Sequence, residues 1–217
     1  MKKYFILCLM LLILLTGCTF TKFEDASIKD VIKESLFKSK DIYNTNRIGY
    51  RYYLPRNFNV ITDKDYNEIF ISKNYKYYLY VDIVSYYNKS DFVFNPKDEV
   101  YYSEYLDNGD SKGYIEITKL EDYFLIELMY NYSKIEVLTK ENDIKDAVLN
   151  ASNILSSIKY NKLVIENLVG ENKLNYEETT YDIFKPKNAV SNKTFLDYAE
   201  EYETEYNKMI EDNDVIK

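Results

Sequence analysis

Residues 101–139, YYSEYLDNGDSKGYIEITKLEDYFLIELMYNYSKIEVLT, decide the fold because Tyr, Ile, Leu and Val alternate there with polar residues. Alternation with a period of two is typical of strands that bury one face. The Asn-Gly pair at 108–109 is the usual signal for a tight hairpin. The segment therefore predicts an antiparallel meander. Its strands are predicted at Tyr101–Leu106, Tyr114–Leu120, Tyr123–Tyr130 and Lys134–Thr139.

The chain before this meander has the same character. Aromatic and β-branched residues, which favour strands, dominate it from Gly49 onward. The first such run stops at Pro55, and Asp63–Asp65 is typical of a turn. Further strands are predicted at Tyr50–Leu54, Phe58–Thr62, Glu68–Ser72 and Tyr77–Tyr87.

Two helices flank the strands. Ser27 and Asp30 form a start close to a capping box, and the apolar spacing that follows predicts a helix ending near Lys40. A second helix is predicted from Asn142 to Ile158, with an apolar face wide enough to lie across a sheet. The fold class is therefore α+β. An antiparallel sheet of about six or seven strands packs against an N-terminal and a closing helix within residues 27–161.

Two segments of this region resemble PsbP/Mog1-type domains. Gly49–Phe58, GYRYYLPRNF, is similar to their first aromatic strand running into Pro, and Ile154–Ile158, ILSSI, is similar to the end of their closing helix. The resemblance implies an assembly or binding factor without catalysis. It transfers no functional residue, because that fold has no shared site motif.

The chain beyond residue 161 is an acidic, partly helical extension, 162–217. Lys162–Val169 predicts one more strand before Gly170. Phe195–Met209 places aromatic residues on one stripe and predicts a helix. This helix either docks on the domain or folds on a partner.

The N-terminus predicts export. Lys2 and Lys3 precede an apolar run, Tyr4–Leu15, which is too short for a membrane-spanning helix of about 20 residues. Leu15, Thr16, Gly17 and Cys18 resemble the lipobox of bacterial lipoproteins.

That resemblance implies a lipid on the thiol of Cys18 and cleavage just before it. Residues 1–17 are then the signal peptide and residues 18–26 a tether. The protein is expected on the extracytoplasmic face of the cell membrane, where two acyl chains give stable anchoring. The alternative is an ordinary export signal with a chance cysteine.

Composition excludes several functions. The chain has no His, so Ser-His-Asp machinery and His-ligated zinc are excluded. Its two Cys cannot form a four-thiolate site. A formal charge of −8 without a basic stripe argues against nucleic-acid binding. No cofactor and no metal are expected.

Carboxylate-rich segments have a simpler interpretation as turns. Asp107–Glu116 superficially resembles a calcium loop, but Lys112 and Lys119 occupy positions that need oxygen ligands. The pairs at 63 and 65, 121 and 122, and 177 and 178 could serve a hydrolase only if they faced each other across a cleft. Solvated turns are favoured for all of them.

Tyrosine is the most distinctive residue type, with 25 copies and four doublets in the strand region. Neighbours in a strand point to opposite faces, so each doublet places one ring outward. Outward rings on one face would suit a protein partner or a sugar. The candidate contact residues are Tyr52, Tyr77, Tyr86 and Tyr101. The alternative is that strands merely accept a frequent residue.

These observations favour a membrane-anchored lipoprotein that is not an enzyme and binds or assembles with a protein of the envelope. One alternative is a lipoprotein that binds a small molecule or glycan in a tyrosine-lined cleft. A carboxylate-based hydrolase acting on the cell wall is the third hypothesis. The sequence leaves the partner's identity open.

Overall fold

The computed structural model describes residues 25–38, 41–64 and 66–170, and a seven-stranded antiparallel sheet forms the centre of this part of the chain. The strands are β3 (Asn59–Lys64), β4 (Asn67–Ser72), β5 (Tyr75–Val81), β6 (Tyr102–Asp107), β7 (Lys112–Leu120), β8 (Tyr123–Tyr130) and β9 (Ser133–Thr139). Their order in the sheet is β3-β4-β5-β9-β8-β7-β6, so β9 lies in the middle beside β5 and β8. The expected α+β class and strand number are confirmed.

A smaller sheet pairs distant parts of the chain. Its order is β1-β2-β10, with β2 in the centre and both neighbours antiparallel to it. The backbone N–H of Asn161 donates to the carbonyl of Gly49 (2.7 Å), which extends this pairing beyond β10. The three strands are β1 (Thr45–Arg47), β2 (Tyr50–Tyr52) and β10 (Lys159–Tyr160).

Four helices and one 3₁₀ turn complete the described fold. The predicted capping box is present, since Ser27 Oγ accepts from the Asp30 backbone and the Asp30 carboxylate accepts from the Ser27 backbone, both at 3.1 Å. Among the described residues, no helix has the length and apolar character needed to cross a membrane. The helices are α1 (Ile28–Ser35), α2 (Ile83–Asn88), α3 (Ile144–Ser157) and α4 (Lys162–Gly170), and the 3₁₀ turn is Glu141–Asp143.

The core lies between one face of the large sheet and the helices α1 and α3. Alternate residues of the central strands, such as Ile115, Ile126 and Val137, are fully buried. They belong to the same buried cluster as Val31 of α1 and Val148 of α3. We call this side of the sheet the inner face.

Two predicted strands are corrected. The strand predicted to run to Tyr87 ends at Val81, because the Asp82 side chain accepts from the Ser85 backbone (2.8 Å) and starts α2. Residues 162–169 form helix α4 and not a strand. The Asn161 side chain accepts from the Val164 backbone (3.3 Å) at the start of this helix.

Several predictions concern the ends of the chain. The lipobox with Cys18, the tether up to residue 24, and the helix predicted at 195–209 lie outside the described residues.

Candidate functional site

Two of the four candidate tyrosines belong to the core. Tyr52 is fully buried, and Tyr77 is 2% exposed. Tyr77 packs edge-on against Phe58, with ring centroids 4.8 Å apart. Its position in β5 is on the inner face, together with Leu79. Buried rings cannot contact a partner, so the assignment of Tyr52 and Tyr77 to a contact surface is corrected.

The other two candidate rings lie at opposite ends of β8. Tyr86 of α2 stacks on Tyr160 at 3.9 Å and meets Tyr132, just after β8, edge-on. Tyr101 is half-exposed and packs against Phe124 at the start of β8 (4.8 Å). The structure therefore does not gather the four predicted tyrosines into one surface.

A different surface is formed by the other side of the same strands. Every second side chain of β7, β8 and β9 is half-buried and points away from the inner face. The apolar side chains among them belong neither to the core cluster nor to the residues packed against it. We call this surface the outer face. Its central members are Tyr80, Tyr114, Glu116, Thr118, Leu125, Glu127, Met129, Lys134, Glu136 and Leu138.

Three glutamates lie side by side at the centre of the outer face. Glu116 is paired with Glu127 across β7 and β8, and Glu127 is paired with Glu136 across β8 and β9. Directly opposed side chains have Cβ atoms about 4.5–5.5 Å apart, and like charges in this arrangement destabilise a sheet. We call these residues the glutamate row.

Neighbouring side chains offset part of this repulsion. Lys97 Nζ lies 2.8 Å from Glu116 Oε1, and Lys134 Nζ lies 2.9 Å from Glu136 Oε1. The Tyr114 hydroxyl donates to Glu127. The hydrogen bond and charge of Glu116 raise the pKa of Lys97 above its ordinary value.

The compensation is incomplete at one atom. Glu116 Oε2 is buried and accepts no hydrogen bond from the part of the chain that the structure describes. A buried carboxylate oxygen without a donor is unfavourable by about 1–3 kcal/mol.

An aromatic cluster borders the glutamate row on the β6 side. Phe94, from the loop between α2 and β6, stacks almost parallel on Tyr114 with centroids 4.3 Å apart. Phe92 lies 6.1 Å from both Tyr114 and Tyr105. The outer face therefore combines a central acidic row with apolar and aromatic surroundings.

A second carboxylate, that of Glu68 on the inner face, is buried, and both of its oxygens already accept hydrogen bonds. Glu68 is 1% exposed and accepts from Arg47 Nε (2.9 Å) and Nη2 (2.7 Å). It also accepts from the hydroxyls of Tyr50 and Tyr52, each at 2.7 Å. Burial, and next the charge of Glu68, raise the pKa of both tyrosines, which keeps them protonated as donors. This site ties the small sheet to β4.

The side chains of Asp107 and Asn108 are held within the β6–β7 turn. The Asp107 side chain accepts from the Gly109 backbone (2.7 Å), and the Asn108 side chain accepts from the Ser111 backbone (2.8 Å). Asp63 lies 3.2 Å from Arg47, whereas residues 65, 177 and 178 lie outside the described residues. Within residues 25–38, 41–64 and 66–170, no three Asp, Glu, Cys or His side chains are grouped to hold a metal ion.

The glutamate row was missed at the level of sequence, although a signal for it exists. Each of the three strands carries Glu between two aliphatic residues: Ile-Glu-Ile at 115–117, Ile-Glu-Leu at 126–128 and Ile-Glu-Val at 135–137. A triplet shared by neighbouring strands of a meander aligns whenever the turns set the matching register. The β7–β8 and β8–β9 turns set this matching register.

Comparison with known proteins gives no family assignment. No protein-family model matches the sequence. A search of curated proteins finds no match either.

Proposed function

We propose that this protein is a lipid-anchored, non-catalytic module on the extracytoplasmic face of the cell membrane that binds a protein of the envelope. The observation that carries the proposal is the outer face, where apolar side chains outside the core surround the glutamate row. Aligned like charges weaken the isolated sheet. Their presence is accounted for if a partner neutralises them on binding.

The chemistry of the outer face describes the partner. The three carboxylates of the glutamate row are half-buried and negatively charged, so the row attracts Lys or Arg. Leu125 and Leu138 are paired across β8 and β9 beside the row, and offer an apolar contact. The expected partner segment therefore carries a basic side chain next to apolar ones.

Photocrosslinking in intact cells tests this docking. A photoreactive amino acid at Leu125 or Leu138 of the full-length chain should capture one discrete envelope protein. The same amino acid at Glu34, an exposed residue of α1, is the matched control. Equal capture from Glu34, or no adduct from the outer face, would contradict the proposal.

The lipid anchor is proposed from Leu15, Thr16, Gly17 and Cys18. Replacing Cys18 by Ala should release the protein from membranes and abolish labelling with an alkyne-bearing fatty acid. Cys8→Ala is the matched control, because Cys8 lies inside the apolar run and not at the cleavage position. Unchanged membrane retention of Cys18→Ala would overturn the anchor.

A further inference from the structure

A pocket of about 290 Å³ lies at one end of the seven-stranded sheet. Three neighbouring segments form it: residues 89–92 after α2, residues 109–112 of the β6–β7 hairpin, and residues around the β8–β9 turn at 131–132. We call it the end pocket. Its volume is at the lower limit of small-molecule sites, so it fits one ring and not an extended chain.

The walls of the end pocket are held by backbone contacts. Asn131 and Tyr132 have φ values of 49° and 62°, the left-handed pair of a tight hairpin turn. The Asn131 N–H donates to the carbonyl of Lys112 (3.0 Å), and the Asn131 carbonyl accepts from the Tyr160 hydroxyl (2.7 Å). Lys89, with φ 51°, ends α2. Such walls are preorganised, which lowers the cost of binding.

The lining of the end pocket contains positively charged, negatively charged and aromatic side chains. Lys89 and Lys112 supply two ammonium groups, and Asp91 and Asp110 supply two carboxylates. Their formal charges cancel. Lys112 Nζ and the Asp91 carboxylate are 3.5 Å apart, beyond the usual hydrogen-bond distance, so this pair is loose. Phe92 and Tyr132 add two rings to the lining.

These features decide the class of ligand. A net anion or cation would gain from one pair of groups and be repelled by the other. A neutral ring with several hydroxyls can accept from the ammonium groups, donate to the carboxylates and place its apolar C–H face on an aromatic ring. We propose that the end pocket binds a single neutral sugar ring or a similar cyclic polyol. The end pocket adjoins the outer face, because Met129 and Phe92 line the pocket and also lie on or beside that face, but sugar binding does not require the protein partner proposed there.

Saturation-transfer NMR on the full-length chain in detergent tests the proposal, with D-glucose, glucuronate, glucosamine and glycine as probes. D-Glucose should receive saturation and bind with a dissociation constant on the order of 1 mM, as expected for a ligand with few contacts. The charged sugars should bind more weakly. Stronger binding of glycine or of either charged sugar, or no binding of D-glucose, would overturn the assignment.

Two substitutions locate the binding. Asp110→Asn and Lys89→Met should each weaken D-glucose binding by roughly tenfold, since each removes a charged hydrogen-bonding group. Asp122→Asn is the matched control, because Asp122 is also an exposed turn residue but lies in the β7–β8 turn at the other end of the sheet. Thermal unfolding of each variant verifies the fold. Unchanged affinity in both pocket variants, or equal loss in Asp122→Asn, would contradict the proposed location.

Discussion

Glutamate side chains on the two faces of the large sheet have opposite hydrogen-bonding environments. On the inner face, Glu68 is buried and receives four hydrogen bonds, from Arg47, Tyr50 and Tyr52. On the outer face, Glu116 shares one lysine, and its second carboxylate oxygen accepts no hydrogen bond from the described residues. The fold therefore supplies hydrogen-bond donors to both carboxylate oxygens of Glu68, but to only one carboxylate oxygen of Glu116 among the described residues.

This difference separates the structural role of Glu68 from the binding role that we propose for the outer face. A buried carboxylate with all its donors in place has no capacity left for a partner, and removing any donor exposes the penalty of burying charge. A row of three carboxylates with partly exposed lysines retains that capacity. Substitutions on the inner face should therefore change stability, and substitutions on the outer face should change binding.

The largest contrast is expected between two leucines of β8. Leu128 is fully buried on the inner face, whereas Leu125 is half-buried on the outer face. Leu128→Ala should lower the free energy of unfolding by about 3–5 kcal/mol, because it leaves a cavity in the core. Leu125→Ala should lower it by about 1 kcal/mol or less, in proportion to the smaller area removed from water. Urea denaturation measures both, and equal losses would refute the distinction between the faces.

The next largest effect concerns the cations that pair with the two glutamates. Arg47→Ala should lower the free energy of unfolding by about 3 kcal/mol, because Glu68 then remains buried without its charged partner. Lys97→Ala should lower it by less than about 1 kcal/mol, since the Lys97 side chain is 61% exposed and its ion pair is screened by solvent. Both variants can be compared by urea denaturation at one salt concentration. If Lys97→Ala lowered the free energy of unfolding as much as Arg47→Ala, the distinction between the two faces would be contradicted.

Alkaline pH provides a third test, at Tyr77 of the inner face. Burial raises the pKa of Tyr77 to about 12. The folded state holds the phenol proton more tightly than the unfolded state, whose tyrosine pKa is about 10. The stabilisation from this group is complete below pH 10 and is lost as the pH rises to about 12, by roughly 2 kcal/mol.

Tyr77→Phe has no proton to lose and should therefore show a smaller decline of stability between pH 10 and pH 12. The free energy of unfolding of both proteins, measured by denaturant titration at several pH values, tests this. Their difference at pH 8 is the control for the lost hydroxyl. Identical alkaline slopes would show that Tyr77 does not carry this pH dependence.

Much of the fold could be predicted because the inner face imposes a period of two on the central strands. Ile115, Ile126 and Val137 are part of that pattern. Asp82 and Asn161 show where prediction failed, because a side-chain cap outweighed local strand preference and started a helix. Whether a helix or a strand forms at such a position depends on one hydrogen bond and the packing around it. The periodicity of the sequence contains no information on either.

The candidate site was harder to predict than the fold. The frequency of tyrosine suggested Tyr52 and Tyr77 as contact residues. Their large apolar rings instead pack in the core. The glutamate row depends on the register of three strands, which the turns set. Composition carries no information on register, whereas the repeated aliphatic-Glu-aliphatic triplet does.

The smallest effect on stability, and the sharpest test of the comparison, is expected for Glu116→Gln. This change keeps the shape of the side chain, removes one of three aligned negative charges and replaces one carboxylate oxygen by a donor. The relief of repulsion offsets the weakened contact with Lys97, so the free energy of unfolding should stay within about 1 kcal/mol of wild type. Glu68→Gln, the same chemical change on the inner face, should destabilise by several times as much, because Arg47 loses its counter-charge. Glu116→Gln should instead reduce the yield of the adduct captured from Leu138, since a basic partner loses part of its attraction. A destabilised Glu116→Gln with an undiminished adduct would assign the glutamate row to the fold and remove it from the binding surface.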